Sequence, residues 1–289
     1  MKIAVLGAAG QLGRDLTPRL PGDVVSLDRS RIDLTQPKTV ATALDEIRPH
    51  IVVNCAAYNF VDKAEAEPDL ATAVNAWGVR ALALACRNLD AILVHFSTDY
   101  VFGLNTAHHA PYATSDAPGP VSVYGIGKLA GEYAVRAICP KHFVIRTCGL
   151  YGVWGSGGKG GNFVETMLRL AGQGKPLRVV NDQHCTPSYT ADVADAALKL
   201  ILSDRYGLYH ITNSGATTWY SLARRAFELA GIRADLTPIP TSEYPTPAQR
   251  PGYSVLALDD LRHAGVPMPR PWNEAIEAYL DERKRKPSH

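Results

Sequence analysis

A tyrosine and a lysine one helical turn apart are the residues of this chain best suited to acid–base chemistry. Tyr124 and Lys128 form a Y-x-x-x-K pattern, so both side chains project from one face of a helix. Thr98 precedes them at the end of a predicted strand. Because ligands of open parallel sheets lie beyond the carboxyl ends of the strands, we expect Thr98 and Tyr124 to converge there.

These three residues predict reduction of a ketone. The reaction delivers a hydride to carbon and a proton to the oxygen that becomes an alkoxide. A tyrosine of ordinary pKa (~10) is rarely ionised to the phenolate at neutral pH. A nearby ammonium group favours the phenolate and adjusts the acid toward the working pH. Lys128 can also hold the nicotinamide ribose, while Thr98 hydrogen-bonds the carbonyl oxygen as it becomes charged. The hydride comes from a nicotinamide cofactor.

Three glycines near the N-terminus predict where that cofactor binds. Gly7, Gly10 and Gly13 follow a short aliphatic run and precede a segment with apolar residues at helical spacing. One glycine permits a tight turn, one lets pyrophosphate approach the backbone, and one lets the helix pack on the strand. This G-x-x-G-x-x-G spacing, directly between a strand and a helix, predicts a dinucleotide site.

The residues after the second predicted strand do not decide between NADH and NADPH. Asp28 can accept hydrogen bonds from the adenosine ribose, which favours NADH, whereas Arg29 can hold a 2′-phosphate, which favours NADPH. Asp33 is placed to reach the adenine edge. Each charge could instead cap a helix or stay solvated. We therefore expect NADPH or NADH.

Strands that alternate with helices position these groups. Strands are predicted near residues 2–6, 23–27, 51–53, 91–96, 143–146 and 207–211, and helices near 11–20, 39–47, 70–88, 123–137 and 192–202. Such alternation predicts an α/β fold: a Rossmann doubly wound parallel sheet with a smaller C-terminal substrate lobe. We expect residues 1–152 plus 190–212 to form the dinucleotide-binding domain, and 153–189 plus 213–289 the lobe.

Two segments of unusual composition belong to the predicted lobe. Residues 152–161 contain six glycines and predict a mobile loop, and residues 236–251 contain five prolines and predict an extended substrate wall. The charged tail, residues 281–289, is expected to fray.

Composition excludes several classes of protein. The chain has 289 residues, 46% hydrophobic residues and a net charge of +2, which favours neither nucleic acid nor an anionic membrane as a partner. No run is apolar enough to cross a bilayer, and glycines with polar residues interrupt the N-terminus where a signal peptide would stay apolar. Five widely spaced cysteines predict free thiols in a cytoplasmic protein, with no metal site. Monomer and homodimer both remain open.

The chain resembles the extended short-chain dehydrogenases/reductases and, within them, the dTDP-4-dehydrorhamnose reductase family. The resemblance covers nearly the whole chain and rests on GAAGQLG (7–13), NCAAYNFVDKAEAEP (54–68), AVNAWG (73–78), HFSTDYVFG (95–103), YGIGKLAGE (124–132), RTCGLYG (146–152), GNFVETMLRLA (161–171), DQHCTPSYTADVA (182–194) and RP (250–251). It implies reduction of a 4-keto group on a nucleotide-linked 6-deoxy sugar, most often with NADPH, giving dTDP-L-rhamnose.

The resemblance also implies roles for individual residues. Thr98, Tyr124 and Lys128 are the expected catalytic residues. With the glycine turn and the acidic positions above, the expected cofactor site comprises Gly7, Gly10, Gln11, Leu12, Gly13, Asp28, Arg29, Asp33, Leu34, Ala56, Ala57, Tyr58, Asn75, Tyr124 and Lys128. The expected nucleotide-sugar site comprises Thr98, Tyr100, Asn162, Phe163, Gln183 and Arg250, in which Arg250 could pair with the diphosphate or form a surface ion pair.

One position departs from the family pattern. Gly149 stands where rhamnose reductases carry an aromatic residue that packs on the sugar. Trp154, in the nearby glycine-rich loop, is a candidate replacement. A glycine also widens the site, so another dTDP- or UDP-4-keto-hexose is a possible substrate.

Two other functions fit the same motifs. A sugar-nucleotide epimerase or dehydratase would keep NAD bound through each cycle. A regulatory subunit like that of methionine adenosyltransferase would bind the dinucleotide without catalysis. The presence together of Thr98, Tyr124 and Lys128 favours an enzyme, because a binding scaffold needs no proton donor.

Overall fold

The computed structural model describes residues 1–155 and 161–285, which form a mixed α/β structure. Its strands are β1 (Lys2–Leu6), β2 (Asp23–Leu27), β3 (Ile51–Asn54), β4 (Ile92–Thr98), β5 (His142–Thr147), β6 (Leu150–Tyr151), β7 (Leu177–Val180), β8 (His184–Cys185), β9 (Ser188–Tyr189), β10 (Gly207–His210), β11 (Thr217–Thr218) and β12 (Leu236–Ile239). Its helices are α1 (Gln11–Leu16), α2 (Pro37–Ile47), α3 (Val61–Ala66), α4 (Pro68–Thr72), α5 (Gly78–Asn88), α6 (Val123–Ile138), α7 (Phe163–Gly172), α8 (Thr190–Ile201), α9 (Trp219–Ala230), α10 (Asp259–His263) and α11 (Trp272–Arg285).

Six parallel strands form the central sheet in the order β10-β5-β4-β3-β1-β2. The chain steps from β1 to β2 on one side and then returns to place β3 on the other side of β1. The order therefore reverses between β1 and β3, and the crevice at such a reversal is where open α/β sheets bind ligands. The predicted doubly wound parallel sheet is confirmed.

Alternating side chains of the strands pack into two apolar cores. Ile3 and Val5 face the core that includes Leu16 of α1 and Leu200 of α8. Ala4 and Leu6 point to the opposite face, against helices α2, α5 and α6. Both faces of the sheet are thus covered by helices, which is why its strands are almost uniformly apolar.

A third core lies outside the sheet. It joins apolar residues of α7, α9 and α11 with Tyr151 and Tyr189. This core lies in the region where sequence predicts the substrate lobe, while the exact division of the chain into two domains stays a prediction. Parts of the expected mobile loop, residues 156–160, and of the expected frayed tail, residues 286–289, lie outside the described residues.

Two predicted elements differ from those observed. The helix expected over 70–88 is a series of α4, a π-helical turn (Ala73–Trp77) and α5. Within the proline-rich segment, β12 pairs in parallel with β7. Pro238 is accommodated because this two-stranded sheet leaves one side of β12 unpaired.

Among residues 1–155 and 161–285, no helix combines the length and apolar character needed to span a membrane. The same residues contain no group of three metal-binding side chains arranged to hold an ion.

Candidate functional site

Three cavities adjoin one another: two lie at the carboxyl ends of the central strands, and the third is lined mostly by residues of the predicted lobe. A cavity of about 620 Å³ lies beside the glycine turn, and we call it the adenosine cavity after the part of the cofactor that the sequence predicts there. It shares Ala9 and Ala57 with the central cavity of about 640 Å³. The central cavity in turn shares Tyr100, Phe163 and Trp219 with the substrate cavity of about 380 Å³. The site is therefore one groove with three compartments.

Each of the three glycines of the turn is required for a different structural reason. Gly7 adopts φ +72°, and a Cβ there would lie 2.8 Å from the backbone nitrogen of Ala56. A Cβ on Gly13 would lie 2.2 Å from the carbonyl oxygen of Gly7, so only glycine lets α1 pack this closely. A Cβ on Gly10 would lie 3.1 Å from the carbonyl oxygen of Gly7, a tight contact but a milder one than at Gly7 or Gly13. Gly10 lines the central cavity, so the space beside it is open to a ligand.

The charged residues at the adenosine end are held by local turns. The Oδ1 atom of Asp28 accepts hydrogen bonds from the Ser30 amide and hydroxyl and from the Arg31 amide, and these bonds lower the pKa of Asp28. Arg29 donates to Asp33 at 3.4 Å. All three predicted residues, Asp28, Arg29 and Asp33, line the adenosine cavity. Carboxylates and a guanidinium thus share this end of the groove.

Of the predicted cofactor residues, Asn75 has a supporting position. Its side chain accepts a hydrogen bond from the amide of Tyr58 and donates one to the carbonyl of Tyr58, both at 2.9 Å. Asn75 is not among the residues that line the cavities, whereas the other predicted cofactor residues do line them. Its burial and two backbone bonds explain the difference, because they hold the segment after β3 in place rather than contact a ligand.

The predicted catalytic residues meet in the central cavity. Thr98 is the last residue of β4, and Tyr124 and Lys128 lie in the first turns of α6, whose N-terminus is capped by the Ser122 hydroxyl. All three line the same cavity. The hydroxyl of Thr98 lies near enough to the phenol of Tyr124 to lower its pKa.

Lys128 is buried against the sheet. Its Nζ donates to the carbonyl of Phe96 at 2.7 Å and lies 3.5 Å from Nε2 of His95. Asn54 contacts the other ring nitrogen of His95 at 3.1 Å. Burial lowers the pKa of Lys128 to about 8, an effect that the Glu132 carboxylate partly offsets. Burial also holds the pKa of His95 well below its ordinary value, so this ring is neutral.

The phenol of Tyr124 keeps its proton at neutral pH. Burial raises its pKa to about 12, although the hydrogen bond with Thr98 opposes that increase. We expected the ammonium group of Lys128 to move the phenol toward the phenolate. In the protein without cofactor, the loss of solvent around the phenol outweighs such an effect, because an apolar environment disfavours the charged form.

Two of the predicted substrate residues form hydrogen bonds with residues distant in sequence. Asn162 donates to Gln11 at 3.0 Å, and Gln183 donates to Thr241 at 3.1 Å. Phe163 lies in both the central and the substrate cavity, and Gln183 lies in the substrate cavity.

Arg250 has a carboxylate partner at the edge of the substrate cavity. Its two terminal nitrogens donate to the two oxygens of Asp62, at 2.6 and 2.8 Å. It also donates to the carbonyl of Ala248 at 2.7 Å. The ion pair expected of Arg250 is therefore present, and because the guanidinium also lines the cavity, its pairing with the diphosphate stays a prediction.

Sequence reasoning missed several residues of the groove. Trp219 lines the central and substrate cavities, and Arg178 and Tyr244 line the substrate cavity. No local pattern marks these positions, because they reach the groove only through the packing of the lobe. Trp154 is elsewhere: its Nε1 donates to Asp15 at 2.9 Å and the Arg14 guanidinium lies over its ring. The hypothesis that Trp154 replaces the aromatic residue expected at position 149 is wrong.

Comparisons with known proteins identify relatives along almost the entire chain. The model of the RmlD substrate binding domain matches residues 1–285. The chain is 43% identical over 282 residues to a dTDP-4-dehydrorhamnose reductase from Streptomyces griseus, covering 94% of this chain and 90% of that protein. It is 40% identical over 300 residues to the enzyme of the same name from Salmonella typhimurium, covering 98% of each.

Solved structures agree. The dTDP-4-dehydrorhamnose reductase from Bacillus anthracis, determined in complex with NADP, gives a TM-score of 0.91 at 38% identity and covers 97% of this chain and 99% of that one. A UDP-glucose 4-epimerase from Thermus thermophilus, determined with NAD, gives a TM-score of 0.82 at 24% identity over 98% of this chain and 99% of that one, a likeness of fold alone. The chain belongs to the RmlD family of dTDP-4-dehydrorhamnose reductases.

Proposed function

We propose that this chain uses NADPH or NADH to reduce the 4-keto group of a dTDP-linked 6-deoxy sugar, converting dTDP-4-dehydro-L-rhamnose to dTDP-L-rhamnose. One observation carries the proposal: Thr98, Tyr124 and Lys128 lie in the middle compartment of a groove whose ends differ in character. One end has the glycine turn of a dinucleotide site, and the other has polar residues from distant segments.

The residues of the groove fit the cofactor. Gly10 lines the central cavity and has no side chain to fill it, which leaves room for pyrophosphate, and a cavity bordered by Asp28, Arg29 and Asp33 suits an adenosine with its ribose. Lys128, beside the central cavity, would hold the nicotinamide ribose. The bound nicotinamide supplies the hydride.

The protein residues handle the proton and the developing charge. Tyr124 donates its proton to the sugar oxygen, and its raised pKa keeps that proton available at neutral pH. Thr98 hydrogen-bonds the same oxygen as negative charge develops. Arg250 and Gln183 line the cavity that would receive the nucleotide part of the substrate. We assign these roles to the residues as part of the proposal.

The test is a panel of dTDP- and UDP-linked 4-keto sugars, each incubated with NADPH and with NADH. We expect stoichiometric loss of reduced-nicotinamide absorbance with the dTDP-linked 4-keto-6-deoxy sugar. No loss with any sugar, together with tightly bound NAD in the purified protein, would instead indicate an enzyme that recycles its cofactor. The free state of the described cysteines suits a cytoplasmic location for the reaction, which we include in the proposal.

A further inference from the structure

Three aromatic residues stand where the central and substrate cavities meet. Tyr100, Phe163 and Trp219 line both cavities. Tyr124 lies on one side of this junction, and Arg250 lies on the other. A ligand that reaches from the proton donor to the guanidinium must therefore pass between aromatic side chains.

Packing fixes the indole of Trp219 at this junction. Trp219 is the first residue of α9, and the helix is capped by the hydroxyl of Thr218, which accepts from the amide of Ser221. The strand before it, β11, pairs with β8. The Trp219 ring tilts at 55° to the ring of Phe163, with centroids 4.9 Å apart.

The absence of a side chain at Gly149 makes room for this indole. Its φ of +48° belongs to the left-handed region, and a Cβ there would lie 2.9 Å from Cη2 of Trp219 and 3.3 Å from Cα of Pro187. The indole thus occupies the space that any side chain at position 149 would need. An aromatic residue at 149 and the present position of Trp219 exclude each other.

We propose that Trp219 is the aromatic wall on which the hexose ring of the substrate packs, and that it determines specificity for the sugar. This inference rests on the proposed function. A hexose offers an apolar face of C–H groups, and a 6-deoxy sugar adds a methyl group, so contact with an indole buries apolar area on both partners. Phe163 packs against the indole, lines the same two cavities and completes the wall.

The experiment compares the binding of dTDP-L-rhamnose with that of dTDP by calorimetry. For Trp219→Ala we expect the Kd of dTDP-L-rhamnose to rise by about tenfold, as expected for loss of apolar contact. The Kd values of dTDP and NADPH should stay within about twofold, because the proposal places only the hexose against the indole. Trp219→Phe should restore most of the affinity. Trp154→Ala is the matched control, since this indole lies against Asp15 outside the junction, and its binding should match the wild type.

The outcomes separate the wall from its alternatives. Equal losses for dTDP and dTDP-L-rhamnose in Trp219→Ala would place the indole on the nucleotide and overturn the proposal, as would unchanged binding of both. If Trp219→Ala does not fold, Trp219→Phe decides: dTDP-L-rhamnose should quench wild-type tryptophan fluorescence more than it quenches this variant, and equal quenching would overturn the proposal. Because these readouts need no turnover, failure of the reductase assay would count against the proposed function alone.

Discussion

The catalytic cluster and the substrate cavity are built in different ways. Thr98 and Lys128 are buried, 6% and 2% exposed, and a strand end and one helical turn hold them. The substrate cavity draws Tyr100, Arg178 and Arg250 from separate segments and leaves its charged groups partly in water. The residues proposed for catalysis are therefore held by a regular strand and helix. The residues proposed for substrate recognition come from separate segments, many of them loops of the lobe.

The sharpest test of the catalytic cluster removes one oxygen atom. Tyr124→Phe should lower kcat by about 10² or more, the usual contribution of a general acid, while NADPH binding stays unchanged. Tyr133→Phe, an exposed position on the same helix, is the control and should behave as the wild type. Normal turnover by Tyr124→Phe would show that the proton comes from elsewhere.

The substrate cavity should respond in KM rather than in kcat. Arg250→Ala removes a guanidinium that faces the cavity, and we expect KM for the sugar nucleotide to rise by about 10- to 100-fold, as for loss of a hydrogen bond to a charged group. Arg178→Ala is the matched control, because its exposed guanidinium pairs with Glu243 at the same cavity and should matter less. A fall in kcat without a change in KM would place Arg250 in the catalytic cluster.

The burial of Lys128 predicts a pH dependence for the catalytic cluster alone. Its pKa of about 8 is below the ordinary lysine value, so kcat/KM should fall by about tenfold per pH unit above pH 8 as the ammonium is lost. The lowered pKa has the opposite effect on stability. Between pH 8 and the ordinary lysine pKa, Lys128 binds more protons in the unfolded chain than in the folded protein, so its contribution makes the free energy of unfolding rise with pH. A rate that stays constant to pH 10 would contradict the assignment.

Substitutions in the glycine turn are expected to have the smallest effects, and they distinguish a glycine needed for cofactor binding from one needed for stability. Gly10→Ala should weaken NADPH binding by about tenfold and lower the melting temperature less than Gly13→Ala does, because its Cβ would lie 3.1 Å from the carbonyl oxygen of Gly7, against 2.2 Å for a Cβ on Gly13. Gly13→Ala should lower the melting temperature, because its Cβ would press on the carbonyl of Gly7. Titration calorimetry and thermal unfolding measure the two effects. Equal melting temperatures for both variants would refute this division of roles.

The sequence by itself was enough for the parallel sheet, the glycine turn and the convergence of Thr98, Tyr124 and Lys128, whose catalytic role stays a prediction. Each depends on short-range patterns: strands alternate with helices, three glycines recur at one spacing, and Tyr124 and Lys128 lie one turn apart on α6. Such patterns can be predicted from the sequence alone, because they reflect the regular local geometry of strands, helices and turns.

Tertiary structure alone decided the rest. That Trp219 and not Trp154 reaches the groove, that Arg250 binds Asp62, and that the phenol of Tyr124 stays protonated all depend on groups distant in sequence. Such contacts arise when the lobe packs against the sheet, and burial then sets the pKa values. The physical reason is that a side chain's partners and its exposure to water are properties of the folded neighbourhood, which no local spacing encodes.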